Sequence, residues 1–134
     1  MKTRQLTAVA ILAGTIAGVN LLARAQSQPY SGHADYQVYC SSCHGTEGRG
    51  DGAIAKSLKQ RPSDLTQLAK RNDGVFPAKK VFDTIDGRKA TAHGGPDMPA
   101  WGDVFAKATE SAGAENAAAR IDVLVEYLQT LQVK

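Results

Sequence analysis

The sequence predicts an all-α domain. Two observations support this prediction: apolar residues recur at helical spacing near the C-terminus, and no run of any length alternates apolar and polar residues as a half-buried strand would. A chain of 134 residues fits one ordinary domain. The C-terminal segment has apolar residues at the i, i+3, i+4, i+7 positions of one helix face, namely Ile121, Leu124, Val125, Leu128 and Leu131.

The other helices are short and are placed by the residues that interrupt them. We expect helices over residues 33–42, 54–60, 64–71, 77–86 and 103–108. Ser63 is the expected N-cap of the third of these helices, and Gly87 is the expected stop of the fourth. Residues 48–52 contain three glycines, while residues 87–102 contain four glycines and two prolines, so both segments are expected to be loops.

The N-terminus has the order of a secretory signal peptide. Lys2 and Arg4 precede an uncharged stretch over residues 6–22, and Ala23 and Ala25 supply the small residues of a cleavage site. We therefore expect a signal peptide over residues 1–25 and a folded domain over 26–134. A retained membrane anchor is the alternative, because the uncharged stretch falls just short of a bilayer span. Both interpretations place the folded part outside the cytoplasm.

The net charge of +3 comes from the presequence. Three of the 16 Lys and Arg residues lie before residue 26, and the other 13 balance the 13 Asp and Glu residues. A nucleic-acid binder would need a basic surplus in its folded part. The composition therefore argues against that class.

The chemistry lies in Cys40, Cys43 and His44, which form the C-x-x-C-H signature of covalent c-type haem attachment. Two sulfurs at this spacing can form thioether bonds to both vinyl groups of one macrocycle, and the adjacent His44 is then held as an axial ligand of the iron. A structural zinc site would need four ligands, in a chain with two Cys and three His. A thioredoxin-like pair would follow a strand of a βαβ unit, and a disulfide across so short a loop would remove little chain entropy.

A second axial ligand is predicted at Met98. Thioether sulfur is a common ligand in electron-carrying cytochromes, and Met98 is the only Met left once Met1 is removed with the presequence. It lies between Pro96 and Pro99 in a polar loop, which is a poor position for a core residue. The rival ligand is His93 in the same loop. His33 is expected to be exposed.

These residues resemble a class I monohaem cytochrome c of the bacterial periplasmic type. The resemblance covers essentially all of the chain after the presequence. In that family, Gly and an aromatic residue precede the haem motif at four-residue steps, as Gly32 and Tyr36 precede Cys40 here. The resemblance implies about four to five short helices around one covalent haem c, with the N- and C-terminal helices crossing. Gly32 and Tyr36 would then pack at the crossing against Leu124 and Tyr127.

The resemblance also assigns roles around the haem. Met98 to Trp101 look like the family's methionine loop, with Trp101 packing by the haem edge or donating to a propionate. The carbonyl that accepts from His44 Nδ1 would belong to a proline segment, for which Pro62 is the candidate. Arg61 and Arg88 are candidate propionate partners.

The function expected from these features is that of a soluble periplasmic electron carrier and not an enzyme. Its donor and acceptor would be larger redox proteins met in small, transient contacts, with Ala53 and Ile54 at the contact surface and without strong charge steering. Membrane association would need the retained anchor. Two alternatives stay open: a haem subunit of a dehydrogenase or oxidase complex, and a haem enzyme or sensor with an open sixth site and His93 as its distal group.

Overall fold

The computed structural model describes residues 30–88, 98–108 and 114–133, so the expected signal peptide and His93 lie outside the described residues. The described residues form helices and no strand, which confirms the all-α prediction. None of the described helices is both long and apolar enough to cross a membrane. The α-helices are α1 (Gly32–Tyr39), α2 (Ser41–His44), α3 (Ala78–Asp86), α4 (Trp101–Ala108) and α5 (Ala114–Thr130). Short 3₁₀ turns cover Ala55–Ser57, Leu65–Gln67 and Lys70–Asn72.

The predicted helix over 77–86 has nearly the expected limits, and the last helix has the expected apolar face. α3 ends at Gly87, which adopts a left-handed φ of 63° as the C-cap. α5 carries the predicted apolar face, in which Ile121, Leu124 and Leu128 are buried. The predicted helix over 33–42 is divided at Cys40 into α1 and α2.

The predictions for residues 54–60 and 64–71 are wrong in type, since both segments contain only 3₁₀ turns. The cap of the second is Asp64 and not Ser63: its carboxylate accepts from the backbone N–H of Thr66 at 2.9 Å and from Thr66 Oγ1 at 2.6 Å. A side chain that bonds to the backbone two residues later favours a tight turn over a continuous helix.

α1 and α5 cross at very short distance, as the resemblance implied. A Cβ atom added to Gly32 would lie 2.0 Å from the carbonyl oxygen of Val123 and 2.8 Å from Cβ of Tyr127. Tyr36 is fully buried, and the centroid of its ring lies 5.4 Å from that of Tyr127. His33 is exposed, as expected, with its ring edge against Tyr127.

A buried ion pair joins the same two helices. The Arg120 guanidinium donates through Nε and Nη2 to the two carboxylate oxygens of Asp35, at 2.7 and 2.6 Å. Its Cζ atom also lies 4.5 Å from the ring centroid of Phe105 and 5.0 Å from that of Tyr39. Arg120 therefore connects α1, α4 and α5 at one point.

Candidate functional site

A cavity of about 900 Å³ lies beside the attachment motif. Cofactor cavities are typically about 300–1,000 Å³, so this one is large enough for a macrocycle. Its wall combines the predicted attachment and ligand residues with apolar side chains from the following turns and α3. The lining includes Cys40, Cys43, His44, Leu65, Leu68, Val81, Met98, Pro99 and Trp101.

The attachment helix α2 is held by the glycine-rich loop that follows it. Its last three carbonyls, which have no partner within so short a helix, accept from the backbone N–H groups of Ile54, Gly52 and Gly50 at 3.1, 3.1 and 2.8 Å. A Cβ atom at Gly52 would lie 2.3 Å from the carbonyl oxygen of Ser42. The predicted loop thus has a defined role, because its glycines let the backbone run directly against α2.

Tyr36 fixes the start of this loop. Its hydroxyl donates to the carbonyl of Gly45 at 2.6 Å. Burial raises the pKa of Tyr36 well above its usual value, so the hydroxyl keeps its proton and remains a donor. The N-terminal helix therefore positions the residue that directly follows His44.

His44 is oriented by a backbone carbonyl, but that carbonyl belongs to Ser63. The Nδ1 atom of His44 lies 3.0 Å from the oxygen of Ser63. A carbonyl can only accept, so Nδ1 carries the proton and Nε2 keeps the free lone pair that a metal ligand needs. This corrects the prediction that Pro62 supplies the carbonyl. The carbonyl oxygen of Pro62 instead faces Gly50, where an added Cβ atom would lie 2.4 Å from it. Pro62 lines the cavity without making this bond.

Burial shifts the pKa of two groups in the site. It lowers the pKa of His44, with the bond to Ser63 acting in the opposite direction, and thus favours the neutral imidazole that binds metals. Burial also raises the pKa of the Cys40 thiol to about 12, with smaller contributions from Asp35 and Cys43. Both shifts have burial as their main cause, which disfavours the charged form of either group.

Met98 and Trp101 lie in the same cavity wall as the attachment motif. Met98 is partly buried against the hydrophobic core. The Trp101 ring stacks on Phe105 with centroids 5.8 Å apart and meets Tyr39 edge to face at 5.4 Å. An aromatic cluster therefore fixes the side chain that the resemblance assigns to the haem edge.

Of the two arginines considered as propionate partners, Arg61 lines the cavity. Arg88 instead pairs with the buried Asp86, through Nε at 2.8 Å and Nη2 at 2.6 Å. The sequence did not reveal three further basic residues of the lining, Arg71, Lys79 and Lys80. No motif marks Lys79 and Lys80, and the sequence of α3 carries no information about what their side chains face.

The residues present fit a covalently bound haem. Two cysteines at attachment spacing, an imidazole with Nε2 free and a thioether line one cavity of sufficient size. An all-helical domain with this site is a c-type cytochrome, and its single C-x-x-C-H motif corresponds to one haem c.

A family model described as cytochrome c oxidase, cbb3-type, subunit III matches residues 27–114, and the chain belongs to this family. Searches of curated proteins and of solved structures found no match. The family match shows a c-type cytochrome with covalently bound haem c, which takes part in electron transfer. The haem prediction is therefore confirmed.

Proposed function

We propose that this protein carries single electrons between larger redox proteins, with His44 and Met98 as the axial ligands of its haem. The observation that supports this most is the shared cavity wall, in which both candidate ligands accompany Cys40 and Cys43. When bound, haem c supplies reversible one-electron chemistry at its iron. With both axial positions taken by protein side chains, no position remains for a substrate.

The protein's own residues would keep the site rigid. Ser63 holds the His44 ring in one tautomer, and the amides of the glycine loop hold α2. Trp101 is held in the cavity wall by its ring contacts with Tyr39 and Phe105. A fixed ligand geometry limits the rearrangement that accompanies a change of iron charge, which favours fast electron exchange.

Electron exchange would take place beside α2. Ile54, whose backbone N–H bonds to the carbonyl of Ser42 in that helix, is 44% exposed, and Ala53 is exposed next to it. A small apolar contact of this kind suits a transient complex. We further propose export to the periplasm, for which mass determination of the mature protein should give a chain beginning at Gln26.

A second candidate is a haem subunit of a terminal oxidase, which the description of the family favours. The chemistry would be the same, with a permanent partner instead of a transient one. Purification of the native protein from gently solubilised cells separates the two: a carrier elutes as a small free protein, and a subunit elutes with a large oxidase complex.

The first test is an optical spectrum of the purified holoprotein in both oxidation states. His44–Met98 ligation predicts a low-spin c-type spectrum with the weak far-red sulfur-to-iron band in the oxidised form. A spectrum without that band, or one that shifts when carbon monoxide is added, would reject this ligand pair and favour His93 or an open sixth site.

Met98→Ala should keep covalent haem, because both cysteines remain, but should convert the iron to a high-spin or water-bound form. Optical spectra and a haem-stained denaturing gel measure the two properties separately. His93→Ala is the matched control in the same loop and should leave the low-spin spectrum unchanged. An unchanged spectrum in Met98→Ala would show that Met98 is not the ligand.

A further inference from the structure

The carbonyl that orients His44 belongs to a segment that side chains from three parts of the chain hold in place. The consecutive carbonyls of Ser63, Asp64 and Leu65 accept from His44 Nδ1 at 3.0 Å, from Arg71 Nη2 at 2.7 Å and from Gln132 Nε2 at 2.8 Å. Their orientations are coupled, because rotating one peptide plane displaces the next.

Gln132 is the most remote of these donors and the most completely bonded. Its Nε2 donates both to Leu65 and to the carbonyl of Leu128, each at 2.8 Å, and its Oε1 accepts from the backbone N–H of Ala69 at 2.9 Å. Both amide hydrogens and the amide oxygen are therefore used. One carboxamide thus connects the end of α5 to both sides of the 3₁₀ turn Leu65–Gln67.

The neighbouring backbone supports the same connection. Val133 N–H donates to the carbonyl of Thr66 at 3.0 Å, and Leu65 N–H donates to Gly48 at 2.6 Å. The side chain of Ser63 itself is exposed, so it does not hold its own carbonyl in place. The position of that carbonyl depends on bonds made two residues further along, where Gln132 acts.

We propose that Gln132 is a positioning residue for the haem ligand His44, acting through Leu65 and the Ser63 carbonyl. The inference rests on the proposed function, in which His44 binds the iron. A carbonyl that accepts from Nδ1 makes the imidazole a stronger electron donor and stabilises ferric iron. Loosening this carbonyl should therefore raise the reduction potential.

The experiment uses the holoproteins of Gln132→Glu and Gln132→Ala. Gln132→Glu keeps the length of the side chain and an oxygen that can accept from Ala69, but it removes both donated bonds. Gln132→Ala removes all three. Gln129→Ala is the control, because this residue is exposed one turn earlier on α5.

Reduction potential and the solvent exchange of the His44 Nδ1 proton, followed by NMR in the ferrous state, are measured for each variant. Gln132→Ala should show a higher potential than wild type, and both Gln132 variants should show proton exchange faster by about tenfold, the factor that corresponds to losing a typical hydrogen bond. The carboxylate of Gln132→Glu itself stabilises ferric iron and lowers the potential, so this variant is compared by proton exchange. Gln129→Ala should match wild type in both measurements.

Wild-type exchange in low-spin Gln132→Glu and Gln132→Ala holoproteins, with wild-type potential in Gln132→Ala, would overturn the positioning role and leave the proposed function intact. If the spectrum of the wild-type holoprotein shows that His44 does not bind the iron, both the proposed function and this inference are rejected. The two failures are therefore distinguished before any variant is compared.

Discussion

At Gly32 the close crossing of α1 and α5 depends on the absence of one methyl group. A Cβ atom there would lie 2.0 Å from the Val123 carbonyl oxygen, which cannot move without displacing α5. Gly32→Ala should destabilise the holoprotein by about 1–3 kcal/mol, the usual cost of overpacking. Denaturant unfolding followed by circular dichroism measures this change.

Ala34→Ser is the control for Gly32→Ala, because it adds one atom at an exposed position of the same helix. Its free energy of unfolding should stay within about 0.5 kcal/mol of wild type. Equal unfolding midpoints for Gly32→Ala and wild type would contradict the close crossing of α1 and α5.

At this scale the sequence identifies the residues whose spacing the chemistry dictates. Cys40, Cys43 and His44 must lie close together in the sequence to reach one macrocycle, so the sequence alone predicts their roles. The carbonyl that accepts from His44 Nδ1 was assigned one residue too early, to Pro62 instead of Ser63. Neighbouring carbonyls face different directions, and which of them faces His44 depends on tertiary contacts with Gly48 and Gln132.

Between elements, the pair of Asp35 on α1 and Arg120 on α5 offers a sharp test of packing. Only 11% and 12% of their side-chain surfaces are exposed. Arg120→Met should destabilise the protein by about 3–5 kcal/mol, because it leaves the Asp35 carboxylate buried without its partner. Thermal and denaturant unfolding of the holoprotein measure this loss.

The pair of Arg49 and Glu47 is the control, since 65% and 69% of their side-chain surfaces are exposed. Arg49→Ala should change the free energy of unfolding by no more than about 0.5 kcal/mol. Similar effects of the Arg120 and Arg49 substitutions would mean that burial does not determine the strength of the Arg120–Asp35 pair.

The elements differ in how far the sequence determines them. α3 and α5 have periodic apolar faces, so both helices were predicted, and Gly87 adds a clear stop that gives the observed end of α3. Residues 54–60 and 64–71 have no such face, and their conformation follows the wall of the cavity and local bonds such as that of Asp64. The Arg120–Asp35 pair joins residues 85 positions apart, which no local pattern indicates.

For the whole molecule, the haem is expected to be part of the core. Without the haem, the apolar side chains of the cavity wall would lose their packing partners and face water, which costs free energy. Water that enters lowers this cost but does not replace the lost apolar contacts. Since domains are stable by only about 5–15 kcal/mol, the chain without its cofactor should not hold this fold.

The double variant Cys40→Ser, Cys43→Ser, purified without haem, should therefore show reduced helical circular dichroism and no cooperative thermal transition. Cys43→Ser alone should impair haem attachment and lower the yield of folded protein. The exposed substitution Ser42→Ala, between the two cysteines, is the control and should retain haem and cooperativity. A cooperative transition in the haem-free double variant would show that the polypeptide alone supplies a sufficient core.

The distance along the chain between α1 and α5 has a consequence for the time course of assembly. Asp35 meets a partner that is synthesised 85 residues later, a delay of about 4–17 s at the usual elongation rate of about 5–20 residues per second. During that interval Cys40 and Cys43 already exist, while the helix that completes the domain does not. The order of synthesis thus leaves Asp35 without its buried counter-charge until the last helix of the described chain has been made.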